Sequence, residues 1–398
     1  MEKFNRARFE NTEITFVLPS ISDYKPLRFG GAQANTLNIA KKLSEIFKIT
    51  LISSFRYEYK KSIYINRNLK IRQVYFPCYD FIKMNKINKI FSIIASLLFY
   101  TMQVSFIIIK SKSKVIVFYD RTELIIPSII SKIIKRKIIF YEGNEYPWSI
   151  YRNYKVSSIS WGYNILTGKI ALKLADKIVA QNARIKRGML RYTKKDIEII
   201  PVAVDTEFFK PVFKEKENIV GFLGRLEKEK GVDLLLEIVD LAVKKYPEIK
   251  FMIIGDGSYK NKFADKNNVI FLSWVTRNRL PDYINKADVF ISCQEWIGLA
   301  ESEILACGRP IITLNSFVNK EIIKPGFNGF LCKPEPEDYL NSIKVILNNE
   351  NLLKEMQRNA RQTAEAFLSS NSIVSMWINL ISNQLKKFNN LCKKSDIV

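Results

Sequence analysis

The chain has 398 residues, 47% of them hydrophobic, with five cysteines, no histidine and a net charge of +24. That length suits two domains, and that hydrophobic content is enough to build a core in each. The missing histidine excludes a Ser-His-Asp triad, a histidine-ligated metal and a histidine general base. The scattered cysteines (Cys78, Cys293, Cys307, Cys332 and Cys392), with no Cys-x-x-Cys pair, read as reduced thiols of a cytosolic protein without disulfides or zinc.

The basic surplus has three readings: an anionic membrane surface, nucleic acid, or a compositional bias toward lysine, isoleucine and asparagine. Its lysines and arginines are dispersed, as in Lys110, Lys112 and Lys114 or Arg184, Lys186 and Arg187. No aromatic-interleaved RNA motif or zinc-finger spacing accompanies them, so the expected partner is a membrane surface rather than nucleic acid.

Met1–Asn11 is charged and lacks the apolar core of a signal peptide. Residues 14–19 read as a first strand, and Gly30-Gly31 then opens a helix running to Leu43. Paired glycines there allow a ligand to approach the backbone, or simply make a tight turn. Strands follow at Ile49–Ser53 and Lys70–Phe76. Phe91–Ile109 carries no charge over 19 residues, the length of a membrane span, yet it contains Ser92, Ser96, Thr101, Gln103 and Ser105. It is expected to be a membrane-spanning helix, a buried helix, or one lying partly on a membrane surface. Lys114–Tyr119 is a strand, Glu123–Ile134 a helix and Lys137–Tyr141 a strand that ends in the polar loop Glu142–Pro147. Trp148, Tyr151, Trp161 and Tyr163 either stack on a sugar or pack. Further strands at Lys177–Ala180 and Ile197–Ile200 lead to Pro201 and Pro211, which mark a linker, with the domain boundary placed near the second.

In the second half, Asn218–Leu223 is a strand, Gly224-Arg225 follows it, and Lys230-Gly231 opens the helix Val232–Lys245. Two cations on such a loop lie where doubly wound sheets bind ligands, or are plain surface charges. Phe251–Ile254 and Val269–Trp274 are strands. The buried-strand run Ala287–Ser292 precedes Glu295-Trp-Ile-Gly298-Leu299-Ala300-Glu301-Ser-Glu303, and Glu301–Cys307 reads as a helix. Amides of Gly298, Leu299 and Ala300 at its start are placed to bind phosphate. Glu295 on the loop and Glu303 in the first helical turn would repel a bare phosphate. They suit hydroxyls at either end of it, as a nucleotide sugar offers. Helices at Glu337–Leu347, Leu352–Phe367 and Ile373–Lys387 complete the chain.

Glu295 and Glu303 with seven residues between them, Gly298-Leu299 inside and Ala306-Cys307-Gly308 after, resemble the signature of the retaining glycosyltransferases of family 4, also called group 1. Ile297 stands where that family has phenylalanine, and Val202-Ala203 where its interdomain passage has Asn-Gly. The resemblance implies a GT-B fold: two Rossmann-like, doubly wound parallel-sheet α/β domains facing each other across a cleft. Residues 1–210 would bind the acceptor and 211–375 the nucleotide sugar, with 376–398 a helix crossing back to the first domain. By the same resemblance, Gly30 and Gly31 face donor phosphate and acceptor, Gly224, Gly298, Leu299 and Ala300 contact the donor, and Arg225 and Lys230 grip the diphosphate. Glu303 holds the ribose and Glu295 the sugar hydroxyls, while Gly255 and Val275 lie near the base. The family's histidine near the strand end is missing here, leaving Glu142, Asn144 or Glu145 to take that contact, unless the loop is merely polar.

The implied activity is transfer of a sugar from a nucleotide donor to a hydroxyl of a glycan or lipid-linked acceptor in bacterial cell-surface polysaccharide synthesis. Configuration is retained, and with no Asp-x-Asp doublet in the chain no metal or other cofactor is required. The location expected is cytoplasmic or peripheral on the inner face of the cytoplasmic membrane. Rival readings are a glycosidase using the two carboxylates, against which the cations argue, a GT-B nucleotide-sugar epimerase, and a non-enzymatic basic protein binding membrane or nucleic acid.

Overall fold

The structure, a computed structural model, describes residues 9, 11–18, 31–55, 62–75, 86–119, 125–144, 148, 158–212, 214–264 and 266–395. The chain divides into two compact units, residues 1–201 with 374–398, and residues 202–373.

The first unit contains β1 (Glu13–Val17), α1 (Gly31–Leu43), β2 (Lys48–Phe55), β3 (Ile63–Asn66), β4 (Leu69–Tyr75), α2 (Lys86–Lys110), β5 (Val115–Tyr119), α3 (Ile125–Ile133), β6 (Lys137–Glu142), α4 (Ser158–Leu174), β7 (Lys177–Ala180), α5 (Ala183–Met189) and β8 (Ile197–Ile199). Its strands lie in the order β3-β4-β2-β1-β5-β6-β7-β8, parallel throughout except for the β3–β4 hairpin. Every residue of β5 is buried, as a central parallel strand covered on both faces must be. The crossovers from β4 through β8 all step one way along the sheet, so right-handed connections put α2 to α5 on one face and α1, which steps back, on the other. Tyr100, Val104 and Ile108 of α2 and Leu172 of α4 accordingly share a core with Ile116, Phe118 and Ile138.

The second unit contains β9 (Ile219–Leu223), α6 (Val232–Lys245), β10 (Lys250–Ile254), α7 (Asn261–Ala264), β11 (Val269–Leu272), α8 (Leu280–Ile284), β12 (Val289–Ser292), α9 (Leu299–Ala306), β13 (Ile311–Leu314), α10 (Asn319–Ile322), β14 (Gly329–Cys332), α11 (Pro336–Leu347) and α12 (Glu350–Thr363), the last extended by a π turn at Ala364–Leu368. The order β11-β10-β9-β12-β13-β14 is wholly parallel. From β9 the chain winds out to β11, then returns to lay β12 on the other side of β9. That reversal places two loops side by side at the carboxyl ends of β9 and β12. The final helix, α13 (Ser370–Ser395), starts in this unit, and its residues from 374 onward group with the first, where Trp377 packs on Phe16 and Tyr141.

Several boundaries differ from the sequence-based expectations. The division falls at Pro201 rather than near Pro211, because residues 203–209 are bonded to the second unit: Val204 N–H donates to Leu368 (2.9 Å), and Arg361 Nη1 donates to the carbonyls of Thr206 (2.9 Å), Phe209 (2.8 Å) and Ala306 (2.7 Å). Strand β3 was not foreseen. Part of Phe91–Ile109, for which three readings stood open, falls outside the residues whose side chains are described; among the described residues no helix is long and apolar enough to cross a membrane. The segment belongs to the longer α2, whose described part buries Tyr100, Val104 and Ile108 and leaves another face open.

Cys293, Cys307 and Cys332 are free and buried. Burial pushes the Cys307 thiol up to about 12 and Cys332 up to about 11, so both are inert, reduced side chains.

Gly221 of β9 pairs with Phe290 of β12, and a Cβ there would overlap the Phe290 ring. Gly221→Ala therefore overpacks the centre of the second sheet and should cost about 1–3 kcal/mol in denaturant unfolding. An unchanged midpoint would show that β9 and β12 have more room than this packing allows.

Candidate functional site

The β9–α6 loop runs from Gly224 to Gly231, and the β12–α9 loop from Cys293 to Gly298. They stand at the reversal point of strand order, where open parallel sheets bind their ligands. Gly231 has φ +70, and a Cβ on it would overlap the carbonyl of Cys293. Only glycine lets the two loops close on each other. The same approach delivers Lys230, carried on a 3₁₀ turn at Lys228–Lys230, to the second loop: its Nζ donates to Gln294 Oε1 (2.5 Å) and stands 5.7 Å from the Trp296 ring centre. Burial lowers the Lys230 pKa, Glu301 raises it, and the Arg225 charge lowers it again.

The anchor of the second loop is Glu301, a buried residue in the first turn of α9. Its Oε1 accepts from Ser292 Oγ (3.0 Å) and Gln294 Nε2 (2.5 Å), and its Oε2 accepts from the Gly298 amide (2.9 Å). One carboxylate thus ties the end of β12, the loop and the start of α9 together, and through Gln294 it reaches Lys230. Gly298 was expected to offer its amide to an anion. The structure assigns that donor to Glu301, leaving Leu299 and Ala300, whose amides have no partner within the helix.

Arg225 is 66% exposed and pairs with Glu229 (3.1 Å), a surface pair worth at most about 1 kcal/mol and so easily given up to a ligand. Glu295 is exposed, and its carbonyl accepts from Ser316 Oγ (2.7 Å). Gly224 donates its amide to Ile254 (3.0 Å) and holds the loop to β10, where a Cβ on Gly255 would overlap the Gly224 carbonyl.

Glu303 was expected in the first helical turn, with Glu295 on the loop before it. Because α9 begins at Leu299, Glu303 lies one turn further in, and only 4% of its side chain is exposed. Arg277, on a 3₁₀ turn after β11, meets it at 2.6 Å without an aligned hydrogen bond and stacks 5.2 Å from the Phe209 ring centre. Burial pushes the Glu303 carboxyl up to about 7, against the Arg277 charge.

In the first unit, Glu142 is fully buried, accepting from Trp148 Nε1 (2.7 Å) and the Asn144 amide (2.9 Å). Its carboxylate thus ties its own loop, Trp148 packs in the core, and Asn144 is exposed. Gly31 is the first residue of α1. Gly30, Glu145 and Tyr151, and the side chains of Trp161 and Tyr163, lie outside the described residues. Among the described residues no group of histidine, cysteine or carboxylate side chains could hold a metal.

The structure thus brings Arg225, Lys230, Glu295, Leu299 and Ala300 onto two touching loops, and turns Glu303 toward Arg277. Sequence reading missed Gln294, Glu301 and Arg277. Glu301 was visible only as an acid in a helical first turn, and Gln294 only as the neighbour of Glu295. Nothing in the chain marked Arg277.

Residues 203–363 match the family model for glycosyl transferases group 1. A poly(ribitol-phosphate) alpha-N-acetylglucosaminyltransferase of Staphylococcus aureus is 29% identical over 54% of this chain and 47% of its own. A UDP-Gal:alpha-D-GlcNAc-diphosphoundecaprenol alpha-1,3-galactosyltransferase of Escherichia coli is 29% identical over 41% of this chain and 48% of its own. The chain spans about half the length of these two relatives. A sucrose-phosphate synthase from Thermosynechococcus elongatus superposes with a TM-score of 0.76 over 94% of this chain and 99% of its own. At 14% identity that likeness speaks for the fold alone, the two-unit parallel-sheet architecture called GT-B.

Glu303 makes one consequence measurable. Its folded-state value of about 7 lies above the ordinary 4.5, so it takes up a proton on folding between those values. Its contribution, on the order of 3 kcal/mol, is fully present below pH 4.5 and is lost as pH rises through 7. Urea unfolding at pH 4.5 and pH 8 should show this loss in the wild type and not in Glu303→Gln. An equal change in both proteins would assign the titration elsewhere.

Proposed function

We propose that the chain, whose residues 203–363 match the group 1 glycosyl transferases, moves a sugar from a nucleotide-sugar donor to a hydroxyl of a glycan or lipid-linked acceptor, with retention of configuration, as in family 4. The observation that carries this reading is the pair of cations, Arg225 and Lys230, held on one loop against the Gln294–Ala300 loop at the strand reversal. Breaking the sugar–phosphate bond leaves negative charge growing on the diphosphate. Lys230, already desolvated and aimed, and Arg225, held only by a surface pair, would neutralise it together with the amides of Leu299 and Ala300. These charges do the work of a divalent metal, so the proposed reaction is metal-independent. Glu295 would accept from sugar hydroxyls. A ribose at Glu303 would share that carboxylate with Arg277. No protein base is assigned: the departing phosphate takes the acceptor's proton on the face it leaves, which gives retention.

The E. coli relative takes, by its name, UDP-galactose and a diphosphoundecaprenol-linked acceptor, and the S. aureus relative glycosylates poly(ribitol-phosphate). By analogy this chain would work in cell-surface polysaccharide synthesis, at the inner face of the cytoplasmic membrane, and its charge of +24 suits an anionic surface there.

A panel of UDP and GDP sugars should give one tight-binding donor, turned over equally well in EDTA. Arg225→Ala should lower kcat by about 10²–10³, and Arg225→Lys should restore it only in part, because a planar fork grips a diphosphate better than a point charge. Full activity in Arg225→Ala and Glu295→Ala would remove the assigned roles, and dependence on a divalent metal would remove the charge argument.

A further inference from the structure

A helix packed on a sheet normally turns its apolar side inward. The described part of α2 does so with Tyr100, Val104 and Ile108, yet it carries a second apolar row outward. Ser96, Thr101 and Ser105 are buried, whereas Leu98, Met102 (66% exposed), Phe106 (57%) and Ile109 face outward. The neighbouring α3 is inverted outright. Its inner side is Pro127, Ser128 and Ser131, and Ile126, Ile129 and Ile133 (72%) point out. The buried hydroxyls are satisfied within their own helices: Ser105 Oγ donates to the Thr101 carbonyl (2.6 Å), Thr101 Oγ1 to Leu98 (2.9 Å) and Ser131 Oγ to Pro127 (2.7 Å). Both helices thus bury small hydroxyl side chains at no hydrogen-bonding cost while large apolar ones stand outside. Helices α2 and α3 pack side by side, as do α3 and α4, where Leu166 is also exposed. An apolar surface spread over adjoining helices is rare on a protein that meets only water.

The charge carried by these helices themselves has one sign. Residues 81–119 and 125–141 contain no aspartate or glutamate, nor does α4. The outer end of α2 runs into Lys110, Lys112 and Lys114, and Lys110 Nζ lies 4.2 Å from the Phe106 ring centre, a cation at the rim of the apolar face. Carboxylates from other elements adjoin this surface: Asp176 pairs with Lys132 and Lys137, and Glu13 accepts from the Lys112 amide (3.2 Å).

We propose that the outer face of α2 and α3, with Lys110 and Lys112 at its edge, docks the protein on an anionic lipid bilayer, its apolar side chains entering the headgroup–acyl boundary and its lysines meeting lipid phosphates. The proposal rests on the reading of the enzyme as one that works at a membrane surface, and it names the part of the fold that makes the contact. The bilayer is chosen over a second copy of the chain because two such faces, each with an excess of lysine, repel one another.

Co-sedimentation of the full chain with phosphatidylglycerol–phosphatidylcholine vesicles, against pure phosphatidylcholine, tests it without any sugar substrate. The wild type should bind the anionic vesicles and release them in high salt. The double variant Met102→Glu with Phe106→Glu changes only exposed positions, and circular dichroism checks its fold. Its partitioning should fall by roughly 10- to 100-fold, as should that of Lys110→Glu with Lys112→Glu, though to a smaller extent, while turnover of a soluble donor is unchanged. Undiminished vesicle binding by both variants would overturn the assignment of this face and leave the membrane reading standing. Failure of the wild type to bind would overturn both, without touching the transferase reading. Loss of a self-association, with vesicle binding intact, would make the face a contact between copies.

Discussion

A buried carboxyl group has to be met by donors, or it costs the fold far more than a surface one. Glu301 satisfies that demand with three groups from three successive pieces of chain: Ser292 at the end of β12, Gln294 on the loop and the Gly298 amide at the start of α9. The geometry of the candidate site follows. Fixing Gln294 fixes the acceptor for Lys230, and fixing Gly298 sets where the amides of Leu299 and Ala300 emerge. The other half of the arrangement is steric. Gly231 and Gly255 each sit where a Cβ would overlap a neighbouring carbonyl, so the loops after β9, β10 and β12 are stacked backbone to backbone. A chemistry based on fixed charge needs this rigidity, because a cation that must reorganise during the reaction stabilises little.

Farther from the loops, the same unit relies on a second buried polar tie. Arg361 reaches three carbonyls, two on the segment entering the unit and one at the end of α9, and Arg309 donates to Val212 (2.6 Å) and Asn285 (3.1 Å) nearby. These contacts explain why residues 203–209 belong to the second unit although Pro211 marks the end of a linker. A proline shows where a helix or strand stops, whereas membership of a unit depends on hydrogen bonds to residues more than a hundred positions away.

Much of the fold was legible from local pattern. β-Branched runs of four to six residues became parallel strands, and the glycine–cation and glutamate–glycine motifs fell on the loops that the strand reversal brings together. The rest was not legible, for identifiable reasons. Strand β3 is short, carries an exposed Tyr64 and borders the sheet, so it has no apolar run to announce it. Glu301 and Glu303 are alike in sequence, yet one faces a glutamine and a serine and the other an arginine from a different loop. Which carboxylate holds the loop and which faces Arg277 is decided by helix phase, and the phase shifted when α9 began two residues earlier than its acidic turn suggested. Glu142 was one of three residues offered for the missing histidine's contact, and its burial under a hydrogen bond from Trp148 depends on a tryptophan that the local pattern does not mark.

The buried thiols carry one more implication. Cys293 lies at the contact with Gly231, and Cys307 closes α9, so one marks the first residue of the loop and the other the end of the helix that follows. Both are shielded and held in the unreactive protonated form. A thiol reagent can reach them only when the surrounding structure opens, so the rate of their modification is a clock for local opening at the loop itself. A donor that tightens the two loops would slow that clock at Cys293 more than at Cys332, on the far strand β14, and the ratio of the two rates separates closure of the site from stabilisation of the whole unit.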